Sequence, residues 1–96
     1  MEILVTYDVA TETAAGRRRL RRVAKVCEGF GQRVQKSVFE CVISEGDLVH
    51  LASRLRREVN EHEDSLRIYR LREPRNDYVQ VIGRDVRYDI HDTIVV

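Results

Sequence analysis

No apolar run in this chain approaches the roughly 20 residues of a membrane-spanning helix, so no membrane partner is expected. Cysteine is scarce. Cys27 and Cys41 lie far apart, and neither they nor His50, His62 and His91 show C-x-x-C or H-x-x-x-H spacing, which leaves no basis for a zinc site. Two isolated thiols make no disulfide framework, and a reducing cytoplasm is the expected compartment. The N-terminal apolar stretch is short, lacks a basic start and is followed by no small-residue cleavage site, so it does not read as a signal peptide. There is no Walker loop, dinucleotide glycine pattern or Ser-His-Asp arrangement, and no internal repeat or low-complexity segment.

Ninety-six residues, 43% hydrophobic and 34% charged, fit one soluble globular domain. So short a chain buries only part of its surface, which favours oligomerisation. The net charge of +1 conceals an asymmetry. Between Arg17 and Lys36 stand eight bases and one acid, Glu28, a local +7, while the remainder carries nine bases and fifteen acids. Patches rather than totals steer partners, and this one suits a polyanion.

Residues 2–9 alternate as a central strand, with Ile3, Val5, Tyr7 and Val9 on one side and Leu4, Thr6 and Asp8 on the other. Thr11 or Thr13 caps a helix whose apolar stripe is Leu20, Val23, Ala24 and Cys27, and Gly29 and Gly31 end it. Residues 32–43 make either one long strand or two short ones with a bend near Lys36 and Ser37, turning Phe39, Cys41 and Ile43 toward the helices. Ser44 starts a second helix with a cleaner stripe, Leu48, Leu51, Ala52, Leu55 and Val59, and residues 60–64 form a polar turn. SLRIYRL, residues 65–71, is a strand; Pro74 punctuates, and YVQVIG, residues 78–83, is a further short strand. This order predicts an α+β, ferredoxin-like βαββαβ sandwich with an added C-terminal strand. Two helices cover one sheet face, leaving the other for a second copy, with residues 78–96 crossing to the partner's sheet.

Asp8 is the first candidate for chemistry. A carboxylate at the end of a central strand among apolar neighbours is costly unless it meets a cation. That cation is either an arginine or a metal ion. Magnesium needs only one or two protein carboxylates, and a two-fold axis past the strand ends would bring two copies of Asp8 together. The basic run Arg17, Arg18, Arg19, Arg21, Arg22 and Lys25 is either a solvated face or a phosphate track. Its arginine content and the absence of acids within the run itself favour the track. Arg33 and Ser37 either continue it or line an exposed strand. Tyr7 and Phe39 read as core aromatics.

YDV at 7–9, the basic first helix, GQRVQKSVFEC at 31–41 and SLRIYRL at 65–71 together resemble one family over nearly the whole chain. It comprises the small CRISPR-associated endoribonucleases and endonucleases that work beside the CRISPR integrase in spacer acquisition. The resemblance implies a ferredoxin-like homodimer with the C-terminal strand against the partner's sheet. It also implies a magnesium-linked catalytic Asp8, with Tyr7, Arg17, Arg19, Arg33, Ser37 and Phe39 at nuclease- or nucleic-acid-associated positions. The expected substrate is single-stranded RNA, duplex DNA or both. Mg2+ at Asp8 would polarise the scissile phosphate and activate a water, there being no histidine near Asp8 in sequence to act as general base. The alternative is a non-catalytic DNA-binding scaffold that bridges integrase dimers.

Overall fold

Alternation with period two makes the first strand, and it also decides which residues meet the core. The computed structural model of the chain describes residues 1–85, the side chain at position 75 excepted. In order, β1 (Glu2–Asp8), α1 (Ala14–Glu28), β2 (Gln32–Gln35), β3 (Val38–Val42), α2 (Glu45–Glu58) and β4 (Ser65–Leu71) precede a short 3-10 turn, Arg75–Asp77. The sheet is antiparallel throughout, ordered β2-β3-β1-β4. This is the expected ferredoxin-like arrangement. The two-strand alternative for residues 32–43 is the one adopted, with Lys36 and Ser37 at the turn and a register shift between Arg33 and Gln35.

The helix ends follow local chemistry. Thr13 caps α1 by accepting from the Gly16 amide at 3.0 Å, and Ser44 caps α2 by accepting from the Asp47 amide at 3.1 Å. At the far end of α1, Gly31 lies so close to the backbone of Glu40 and Cys41 that a Cβ would find no room.

One sheet face and the helices share a core: Ile3, Val5 and Tyr7 of β1, Phe39 and Cys41 of β3, Val23, Ala24, Val26 and Cys27 of α1, and Leu51 and Leu55 of α2. Burying each large apolar side chain contributes about 1.5–3 kcal/mol. The stripe on α2, the cleaner in sequence, commits less than that on α1. Only Leu51 and Leu55 are buried there, and Ala52, Val59, Leu66 and Ile68 line an open groove between α2 and the edge strand β4.

The opposite sheet face carries Glu2, Leu4, Thr6 and Asp8, flanked in register by Val42, Glu40 and Val38 on one side and by Leu71, Tyr69, Arg67 and Ser65 on the other. Apart from the turn around Pro74 and Asn76 at its Glu2 end, no described element lies over this face, and Val42 is 75% exposed.

The expected strand over residues 78–83 is not formed in the single chain. Tyr78 and Val81 are exposed and Ile82 is 89% exposed. The segment pairs with neither free edge of the sheet, β2 or β4, and Pro74, which has no amide hydrogen, interrupts the path from β4. Residues 86–96, which include most of the segment expected to cross to a partner, lie outside the described residues.

Candidate functional site

Asp8 closes β1 opposite Ser65 and is exposed on the uncovered face. This corrects the expectation of a carboxylate crowded by apolar neighbours. Strand alternation sends Tyr7 into the core and Asp8 outward, so one chain imposes no desolvation cost on it. Among the described residues its carboxylate has no hydrogen bond or ion pair and is available to an added cation. The same residues hold no group of three or more His, Cys, Asp or Glu side chains able to bind a metal ion. A single chain therefore offers one carboxylate, and a divalent ion here would need further oxygens from a second copy, water or phosphate.

Tyr7, Phe39 and Arg33 gather on the other side of the sheet. The Tyr7 and Phe39 rings stack at 6.2 Å between centroids, and the Arg33 guanidinium stands 5.2 Å from the Phe39 ring centre. Burial pushes the Tyr7 phenol above its usual range, and the nearby Arg33 only partly opposes it. No hydrogen bond reaches the Tyr7 hydroxyl from the described residues. Arg33 also faces Glu28 at 3.8 Å. Ser37 comes close to Asp8 through the backbone, its carbonyl accepting from the Tyr7 amide at 3.1 Å.

The basic run of α1 divides. Arg18, Arg21 and Lys25 are exposed and make no ion pair among the described residues. Arg17 is exposed and donates to the Thr11 carbonyl at 3.1 Å. Arg22 pairs with Glu58 of α2 at 2.9 Å, a partner outside the run's own helix. Arg19 departs furthest from a phosphate track. Its guanidinium lies 2.9 Å from Asp64 and 3.0 Å from Glu63, and the side chain is only 13% exposed. The side chain of Asp64 has no exposure at all, and its carboxylate accepts from the amides of Ala10 at 3.0 Å and Asn60 at 2.8 Å as well. Burial alone would push the Asp64 carboxyl up; the hydrogen bonds from Arg19, Asn60 and Ala10 outweigh it and hold it below the usual carboxylate range.

Because the arginine stripe sits on the helix layer and Asp8 on the bare face, one chain does not bring the two together. Among the described strand residues, the cation that shares Asp8's face is Arg67, opposite Thr6 and diagonal to Asp8, which donates to the Tyr69 hydroxyl at 2.8 Å. The alternation of SLRIYRL carries that signal once its register with β1 is known. On α2, Arg56 and Arg57 add exposed positive charge that the acidic total of the chain's second part obscures.

The family profile described as CRISPR associated protein Cas2 matches residues 1–79. The chain is 54% identical over 96 residues to the CRISPR-associated endoribonuclease Cas2 1 of Moorella thermoacetica, with 100% of both chains covered. It is 44% identical over 95 residues to the CRISPR-associated endonuclease Cas2 of Halalkalibacterium halodurans, with 99% of both covered. A crystal structure of Streptococcus pyogenes Cas2 superposes with a TM-score of 0.79 at 49% identity, covering 86% of this chain and 100% of that one.

Proposed function

This chain belongs to the CRISPR-associated Cas2 family, and from that premise we propose that it is a magnesium-dependent endonuclease of CRISPR spacer acquisition. In this reading it acts as a homodimer on single-stranded RNA, duplex DNA or both, in a complex with the CRISPR integrase. The observation that carries the reading is Asp8: an unpaired, exposed carboxylate at the tip of the central strand, on a face that the chain leaves bare. That relatives bear the names endoribonuclease and endonuclease supports phosphodiester cleavage and leaves the choice of nucleic acid open.

Leu4, Val38, Val42, Tyr69 and Leu71 give the bare face an apolar character. A second copy packed across it, with the two-fold axis past the Asp8 end of β1, would bring a second Asp8 toward the first. Two carboxylates, with phosphate oxygens and water, match the ligand demand of Mg2+, which when bound supplies charge neutralisation at the phosphate. Asp8 holds the ion. Arg67, on the same face, offsets the charge that builds on the phosphate as it is attacked. Arg18, Arg21 and Lys25, on the far layer, bind backbone phosphates and carry no base code.

The separation of that stripe from Asp8 favours a second reading, in which the dimer is a DNA-binding block between integrase subunits and cleaves nothing. One experiment separates the two. Labelled RNA and duplex DNA are incubated with the protein and with Asp8→Asn, with Mg2+ or with chelator. Metal-dependent cleavage lost in the variant supports the nuclease. Intact substrate throughout, with binding that weakens steeply as salt rises, supports the block.

A further inference from the structure

Resting on the nuclease reading, we infer that Asp64 is a positioning residue that fixes where the Asp8 carboxylate stands. The two residues meet at the end of the sheet. Asp8 pairs in register with Ser65, the final rung between β1 and β4, and Asp64 immediately precedes Ser65. From there its carboxylate takes the amide of Ala10, two residues beyond Asp8, at 3.0 Å. Its other oxygen takes the Asn60 amide at 2.8 Å and Arg19 Nε at 2.9 Å, so the group that grips the β1–α1 connection is itself anchored to the α2–β4 turn and to α1.

Ala10 is held from a second direction. Gly16, in the first turn of α1, approaches the Ala10 carbonyl so closely that a Cβ there would overlap it. The two peptides that flank the Ala10 Cα are thus both fixed, the first at its N–H by Asp64 and the second at its carbonyl by the close approach of α1. Val9, between Asp8 and Ala10, is 6% exposed and anchored in the core. Together these contacts leave the strand tip little freedom. A metal-binding carboxylate works only where its oxygens are held in the productive geometry, and displacements of about 1 Å cost on the order of 100-fold in rate. Arg19 is then the anchor of the anchor: it orients Asp64, which holds the tip.

The test compares Asp64→Ala with Arg19→Ala, which removes the anchor of Asp64 but not the carboxylate that accepts from Ala10 and Asn60. A third variant, Val26→Ala, is a core truncation at the far end of α1. Cleavage of labelled RNA and duplex DNA is measured with saturating Mg2+, below the melting temperature of every variant, alongside amide hydrogen exchange at Ala10. Asp64→Ala is expected to lower kcat at least tenfold with KM within twofold of the parent, and to speed exchange at Ala10 at least tenfold. Val26→Ala is expected to leave kcat, KM and Ala10 exchange within twofold, and Arg19→Ala to fall between. Parental kcat in Asp64→Ala, an effect confined to KM, or an Ala10 amide that stays protected would overturn the assignment. A parent protein that cleaves neither nucleic acid removes the nuclease reading, and the exchange rate at Ala10 then decides by itself whether Asp64 holds the tip.

Discussion

Two buried thiols and one buried carboxylate make the stability of the fold depend on pH. Burial, reinforced by the neighbouring Cys41, pushes the Cys27 thiol up to about 12, and burial pushes Cys41 up to about 11. Groups with raised folded values stabilise the protein below their unfolded value, near 8.5 for a thiol, and that contribution is lost as pH rises toward the folded values. Melting temperature should therefore fall progressively above about pH 9, and Cys27→Ala combined with Cys41→Ala should flatten the fall; an unchanged slope would contradict the assignment. Asp64 works at the opposite end. Held below its ordinary value, it stabilises the fold above about pH 4, and the contribution disappears as pH drops through the folded value. The difference in melting temperature between the parent and Asp64→Asn should shrink from neutral pH toward pH 3, and a constant difference would contradict this. None of this was legible at position 64, which reads as one acid in a polar turn. Its role depends on the turn folding against an amide 54 residues earlier in the chain. Helical spacing sets Arg19 apart from the stripe of Arg18, Arg21, Arg22 and Lys25. It does not show that Arg19 meets Asp64, which depends on the rotation of α1 relative to a distant turn.

Most of the secondary structure was legible, because the alternation of β1 and β4 and the spacing of Val23, Ala24 and Cys27 report directly on burial. Both helix caps were readable too, Thr13 as one of two candidates. Periodicity misleads where pairing is conditional. Residues 78–83 have strand composition, yet they pair with neither free edge of the sheet, β2 or β4. The contact between α1 and the β1–α1 loop is the element-level feature most open to test. Gly16→Ala improves helix propensity by up to about 1 kcal/mol, but its Cβ would meet the Ala10 carbonyl, a backbone group that cannot swing aside. The variant should be destabilised, with a clear drop in melting temperature measured by circular dichroism. A gain would mean that the loop yields, and with it the pinning of the strand tip.

At the scale of the molecule the division between two faces governs everything else. The helix layer presents Arg18, Arg21 and Lys25 to solvent, and the bare sheet face presents Asp8 and Arg67 amid apolar side chains. The sequence displayed both sets of residues, but not that they lie on opposite sides, since that depends on the phase of each element against the sheet. Replacing the three helix cations with alanine should make the plot of log affinity against log salt shallower by up to about 0.9 per lost phosphate contact on duplex DNA, while leaving melting temperature nearly unchanged. If the bare face is where two copies meet, Val42→Asp should yield a folded monomer by sedimentation, and a persistent dimer would place the interface elsewhere.

In the proposed nuclease, two copies of Asp8 would share one divalent ion across that face. Calorimetric titration of Mg2+ into the purified protein measures this directly. One ion per two chains and no binding by Asp8→Asn are expected. One ion per chain, or binding that survives the substitution, would contradict it.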